Sequence, residues 1–195
     1  MNQTFDPMPV DVAIVVGHHP AAKGAALTVG ERQIQEYDFW LPFAIALMGH
    51  PFLLDITSTV VRRPNPKPDD ELMGIVNDTG AKLAIELHFN GFTDPRAQGS
   101  EMLYWHTSEQ GWLLANLLQQ RTVSALRVHD RGLRGVRRGP GAAFLRGTRM
   151  PAVVCEPGFG TNPDDAWKLL TRQMQLVEAY AGAIADFLSE TKRAA

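Results

Sequence analysis

The stretch Asp11-Val-Ala-Ile-Val-Val16-Gly17-His18 decides how the rest of the chain is read. An unbroken apolar run, rich in β-branched residues, stops at a glycine, and an imidazole stands immediately beyond it. A run this short, with no helical period and a sharp end, reads as a strand buried on both faces. Such strands belong to parallel sheets covered by helices. The pattern recurs. Lys82 to Phe89 reads as a strand with His88 at its end, and Ala152-Val-Val-Cys155 as a strand followed by Glu156.

Working outward, Gly24 to Gly30 reads as a loop, and residues 31–48 have a helical rhythm at Ile34, Leu41, Ile45 and Met48. Pro42 has to lie in the first turn of that helix or kink it, because it lacks an N–H. Phe52 to Thr59 reads as a second strand, and Arg63-Pro-Asn-Pro-Lys-Pro-Asp69 as a proline-stiffened loop before a short helix over 69–78. Glu101 to Trp105 reads as a strand, residues 109–126 as a helix, and the Gly- and Arg-rich stretch 130–149 as a long loop with at most a short strand. Asn162-Pro163-Asp164-Asp165 is a helix start, with a capping side chain, proline in the first turn and acids at the positive dipole end. One last helix is expected to carry a core-facing stripe of Ala166, Leu170, Met174, Val177, Ala181, Ile184 and Leu188. The fold expectation is α/β: a single domain, residues 1–195, built on a twisted, mostly parallel central sheet of about five to six strands with helices on both faces.

Composition narrows the function classes. The chain has 195 residues, 45% hydrophobic and 21% charged, which excludes wholesale disorder. The net charge of −2 argues against a general nucleic-acid binder. That total averages two unlike halves: residues 1–120 carry 7 basic and 14 acidic side chains, residues 121–195 carry 12 and 7. Eight arginines lie between Arg121 and Arg149, opposed there only by Asp130. A single cysteine, Cys155, excludes an intramolecular disulfide framework and reads as a small buried strand residue. No apolar run reaches membrane-spanning length, so no membrane insertion is expected. Met1 to Pro7 has neither a basic nor an apolar leader segment, which predicts synthesis in the cytoplasm without a signal peptide.

The chemistry converges on strand ends. In open α/β sheets the carboxyl ends of the strands form the binding crevice, and His18, His88 and Glu156 each follow or end such a strand. Two imidazoles and a carboxylate suit zinc or a similar borderline metal. The alternative is three separately satisfied strand ends, and the spacing, which lacks a compact metal motif, does not choose between them.

Several segments resemble the zinc-dependent N-acetylmuramoyl-L-alanine amidases of the "amidase 3" type. Val15-Val-Gly-His-His-Pro-Ala-Ala-Lys-Gly-Ala25 is similar to that family's P-G-H-G-G…G-A opening, and Glu36-Tyr-Asp-Phe-Trp-Leu41 to its E-x-D-x-N-L helix start. Asn77 through Ala84-Ile-Glu-Leu-His-Phe-Asn90 resembles A-N…S-I-H-A-N, and Gly99-Ser-Glu-Met-Leu-Tyr104 resembles G-V-E-V-Y-Y. Met150-Pro-Ala-Val-Val-Cys-Glu-Pro-Gly-Phe-Gly-Thr-Asn-Pro163 is similar to M-P-A-V-L-V-E-x-G-F-I-S-N-P. The five segments run in family order within residues 11–189, and no separate wall-binding module is evident.

The resemblance implies one zinc ion held by His18, Glu36 and His88, with Glu156 as the catalytic carboxylate. It implies a peptidoglycan or muropeptide substrate, cut at the amide between N-acetylmuramic acid and L-alanine. A leaderless catalytic domain of this kind resembles a phage-type endolysin, released to the wall or periplasm, and equally a bacterial recycling or remodelling enzyme. A related zinc carboxypeptidase or small-molecule amidohydrolase is the enzymatic alternative, and a non-catalytic peptidoglycan-binding domain the other. Asn90 is a candidate substrate contact. Arg137, Arg138 and Arg146 are candidates for holding stem-peptide carboxylates, because the planar guanidinium fork matches a carboxylate. The chain departs from the family pattern at His19 (usually Gly), Trp40 (usually Asn) and Glu86 (usually Ser). His19 is either an extra ligand or a loop histidine. By strand alternation Glu86 shares a face with His88, and either orients that imidazole or pairs with an arginine. Glu31 is a rival for the role of Glu36.

Overall fold

The computed structural model describes residues 8–64 and 69–194. The expected leaderless segment at residues 1–7 and most of the expected proline loop, residues 65–68, lie outside them. The chain runs β1 (Val12–Val16), a hairpin of β2 (Ala26–Val29) and β3 (Arg32–Gln35), α1 (Glu36–Met48), a 3-10 turn (Pro51–Leu53) and β4 (Ser58–Arg62). It continues through α2 (Asp69–Asp78), β5 (Leu83–Leu87), β6 (Ser100–Trp105), α3 (Glu109–Leu126), β7 (Asp130–Val136) and α4 (Ala142–Gly147). β8 (Ala152–Glu156), α5 (Pro163–Thr171) and α6 (Gln173–Ala194) complete it. No helix among the described residues is long and apolar enough to cross a membrane.

The expected α/β architecture is present, as one six-stranded sheet in the order β4-β1-β5-β8-β6-β7. β4, β1, β5 and β8 are mutually parallel, and β6 pairs antiparallel to β8 with β7 parallel to β6. The amino end of β6 therefore lies at the same sheet edge as the carboxyl ends of β1, β5 and β8, and Glu101 pairs across to Glu156.

Alternation along the strands sorts the side chains into two layers. Val12, Ile14, Val16, Leu83, Ile85, Leu87, Val153 and Cys155 join a large core packed by α1, α3, α5 and α6. Ala13, Val15, Ala84, Leu103 and Val154 face a smaller cluster supplied by α2 and α4, through Leu72, Val76, Phe144 and Leu145. The helices thus cover both faces, unequally.

Four expectations about elements need correction. The second strand is β4 at Ser58–Arg62, while Pro51–Leu53 forms a 3-10 turn that leaves Phe52 and Leu54 exposed. Pro51 pre-sets the turn and His50 Nδ1 caps it by accepting from Phe52 N. Thr57 then locks the strand start, donating its N–H and hydroxyl to Asp11 Oδ2 at 2.9 and 2.8 Å. Gly24 to Gly30 and the residues after it hold the β2–β3 hairpin, so α1 begins only at Glu36 and Pro42 sits inside it, past the first turn. The 130–149 region holds β7 and α4. β7 is an edge strand whose arginines and glycines hid its strand character, and charge on an edge discourages pairing with other chains. The last helix is two helices, broken at Arg172 (φ −116°, ψ 24°). That break takes Met174 out of the expected stripe into solvent, while Ala166, Val177, Ala181, Ile184 and Leu188 are buried as expected.

Candidate metal and acid–base site

The carboxyl edge of the sheet opens into a cleft of about 480 Å³ whose lining includes His18, Glu36, Glu86, His88, Asn90 and Glu156. Its far wall is apolar, formed by Leu72 and Met73 of α2 and Phe144 of α4. His18 and His88 enter it because β1 and β5 are adjacent and in register, with Val16 beside Leu87. Glu36 arrives from elsewhere in the chain: the hairpin folds back so that α1 starts above the strand ends, with Glu36 N donating to Ala25 O at 2.9 Å.

Glu36 is the hub. It is buried, and its Oε2 accepts from Ala25 N at 3.0 Å while Oε1 accepts from Phe89 N at 3.0 Å. Oε2 also lies 3.3 Å from His18 Nε2, and Oε1 lies 3.0 Å from His88 Nδ1. The two imidazoles meet edge to face with ring centroids 4.9 Å apart. One ligand atom from each of His18, Glu36 and His88 can be chosen with all of them within 4.8 Å of one another. Burial works to raise the Glu36 pKa, but the hydrogen bonds and charge of the two histidines draw it down to about 2. Burial works to lower the His88 pKa, yet the carboxylates of Glu86 and Glu36 hold it well above the ordinary imidazole range.

Two glycines make this packing possible. Gly24 adopts φ +80°, and a Cβ there would stand 2.5 Å from His18 Cδ2 and 2.6 Å from Glu36 Oε2. A Cβ at Gly17 would overlap the ring of His88. The donor set suits a divalent ion of zinc's type: two imidazoles and a carboxylate that stays ionised.

Glu156 differs from the other carboxylates. Its Oε2 is buried and has no hydrogen-bond partner among the described residues. Burial, chiefly, pushes its pKa up to about 8; His88 opposes the rise, while Glu36, Glu101 and Glu86 add to it. Glu101, buried opposite Glu156 in the sheet, behaves in the reverse sense. Burial works to raise its pKa, but Asn90 Nδ2 (3.1 Å), Arg131 Nε (3.2 Å) and Arg134 Nη1 (3.1 Å) hold it below the ordinary carboxylate range. Arg131 also lies over the Phe159 ring, 5.1 Å from its centroid.

The structure thus gathers His18, Glu36, His88, Asn90 and Glu156 at one cleft. It does not bring Arg137, Arg138 or Arg146 into the cleft lining. Arg137 and Arg138 are exposed beside Gly139, which lines the rim, and Arg146 lines a separate groove with Arg149 and Trp105. His19 turns away and accepts from Ala21 N through Nδ1 at 3.0 Å, and Glu31 is exposed in the hairpin turn. Sequence reasoning missed Arg63 and the bracing of Glu101. Arg63 was obscured by the prolines after it. The role of Glu101 is readable only from the β6–β8 register.

Fold and cleft together define a class: an α/β domain whose strand ends carry a His–Glu–His cluster able to hold a metal, next to an uncompensated carboxylate. Residues 12–186 match the family model described as N-acetylmuramoyl-L-alanine amidase. The chain belongs to that family. It is 31% identical over 147 residues to the N-acetylmuramoyl-L-alanine amidase CwlM of Mycobacterium tuberculosis, covering 72% of this chain and 35% of that protein. It is 30% identical over 149 residues to an uncharacterized cell wall amidase of Bacillus anthracis, covering 69% of this chain and 27% of that protein. The chain therefore spans about a quarter to a third of the length of the curated relatives it matches. The crystal structure of an N-acetylmuramoyl-L-alanine amidase from Clostridium difficile 630 superposes with a TM-score of 0.78 at 26% identity, covering 93% of this chain and 97% of that one.

Proposed function

We propose that this chain is a zinc-dependent hydrolase that cleaves the amide between N-acetylmuramic acid and L-alanine in peptidoglycan. The observation that carries the reading is the pairing of the His18–Glu36–His88 cluster with the carboxyl of Glu156, whose buried Oε2 has no hydrogen-bond partner among the described residues, in one open cleft. Family membership supplies the substrate class.

His18, Glu36 and His88 would hold one zinc ion. Zinc at such a site supplies Lewis acidity, which polarises a carbonyl oxygen and acidifies water. Glu156 moves the protons. Its carboxylate takes a proton from the attacking water, and the resulting acid delivers it to the departing nitrogen of L-alanine. A carboxyl whose pKa is drawn towards neutrality serves in both directions. Water thereby adds across the bond, giving a lactyl carboxylate on the glycan and a free amino group on the stem peptide. Glu36 stays ionised throughout, fixed by two backbone N–H donors. Asn90, which lines the cleft and donates to Glu101, would contact the substrate.

The test is mass spectrometry of products from purified sacculi and from muropeptides. The expected products are unsubstituted glycan and free stem peptides beginning with L-alanine, and none form once a chelator has removed the metal. Intact muropeptides alongside hydrolysis of simple acyl-amino acids would move the assignment to a small-molecule amidohydrolase.

A further inference from the structure

Glu86 is a buried carboxylate that the hydrolytic steps do not use. It lies on β5 two residues before His88, so alternation puts both on the thinly covered face of the sheet. Its Oε1 accepts from Arg63 Nη2 at 3.0 Å and stands 3.5 Å from His88 Nε2. The other ring nitrogen of His88, Nδ1, faces Glu36 Oε1 at 3.0 Å. The imidazole is therefore held between two carboxylates, one on each nitrogen. Arg63 completes a strut. It follows β4, donates from Nε to Gly17 O at 2.8 Å, and so ties the residue before His18 to the carboxylate beside His88. The arrangement spans the ends of three neighbouring strands, β4, β1 and β5.

Building on the zinc reading above, we infer that Glu86 is a positioning residue for the metal centre. Its carboxylate, anchored by Arg63, accepts the Nε2–H of His88, which fixes the ring and leaves the Nδ1 lone pair directed towards Glu36 and His18. A carboxylate on the outer nitrogen of a ligating imidazole sets its tautomer and raises its basicity, and losing such a partner costs about 10–100-fold in metal affinity. The competing account is that Glu86 exists only to neutralise Arg63. The two accounts part when the whole ion pair is removed.

Zinc dissociation constants of the full chain would be measured by competition with a chromophoric chelator. The variants are Glu86→Leu, Glu86→Gln, Arg63→Met and the double Arg63→Met/Glu86→Leu, with folding followed by thermal unfolding of the metal-free proteins. Glu86→Leu and the double variant are expected to weaken zinc by about 10–100-fold. Arg63→Met alone, which keeps the carboxylate, is expected to stay within about threefold of the parent, and Glu86→Gln, which keeps an acceptor oxygen, to recover part of the loss. Parental affinity in the double variant, or in a folded Glu86→Leu, overturns the inference. Should Glu86→Leu fail to fold, the double variant, which removes both members of the ion pair, still decides. His18→Ala and His88→Ala separate the two levels. If they bind zinc as the parent does, or the parent binds none, the zinc reading fails and takes this inference with it. If they lose zinc while the Glu86 variants do not, only the inference fails.

Discussion

The two faces of the sheet are made from alternate residues of the same strands, yet they have unlike jobs. On one face Ile14, Ile85, Val153 and their neighbours close against four helices, and nearly everything there is apolar. On the other face α2 and α4 are the only helices among the described residues that give cover, and the strands present Glu86, Glu101 and Glu156. Cys155 and Glu156 show the contrast within one dipeptide: the thiol turns into the closed core, and the carboxylate turns to the cleft. Stability comes chiefly from the first face. The second spends some of it, because a buried carboxylate without a partner is unfavourable and persists only where chemistry needs it.

Experiments that separate the faces can break this division. The largest effect belongs to the open face: His88→Ala is expected to purify without stoichiometric zinc and to show turnover no greater than buffer, by metal analysis and muropeptide assay. On the closed face, Phe187→Ala removes a ring that is 1% exposed in the core and is expected to cost about 3–5 kcal/mol in denaturant unfolding, with zinc still bound by the folded protein. A variant of the closed face that kept stability but lost metal would contradict the division.

A pH series sharpens it further. In the metal-free protein the Glu156 pKa rises from the ordinary 4.5 to about 8, so the folded state binds this proton more tightly than the unfolded chain does. Its contribution is fully present below about pH 4.5 and is lost as pH climbs through about 8. Metal-free Glu156→Gln is therefore expected to gain stability over the parent as pH rises across that window, by thermal unfolding. Parallel curves for the two proteins would contradict the burial account. The smallest effect is at the rim: Arg137→Ala/Arg138→Ala is expected to raise KM about threefold with kcat unchanged, as befits exposed charges.

What the sequence made legible follows the same division. β1 and β8 were readable because burial on both faces writes itself as an apolar run ended by a break, and β5 because its run is interrupted only at Glu86. α3 was readable from its apolar side, α2 from its place after the proline loop, and the Asn162 cap from its side-chain chemistry, with Oδ1 accepting from Asp164 N and Asp165 N. The hairpin was not, since β2 and β3 are short, half-polar strands. β7 was hidden by its edge position, and Pro51 to Leu54 misled because an apolar run can lie on the surface. At the site, His18, His88 and Glu156 were legible as strand ends. Glu36 was legible only through its motif, because a helix start gives no hint of which strand end it will meet. Arg63 and Glu101 act through contacts between elements distant in sequence, which no local pattern encodes.

The central claim is that the open face divides its labour: His18, Glu36 and His88 bind the metal, and Glu156 moves the proton. Zinc content and turnover measured on one preparation of Glu156→Gln test it most directly. The account predicts one zinc per chain, as in the parent, with kcat lowered by about 10²–10⁴-fold. Turnover near the parental rate, or loss of the zinc together with the carboxylate, would contradict it.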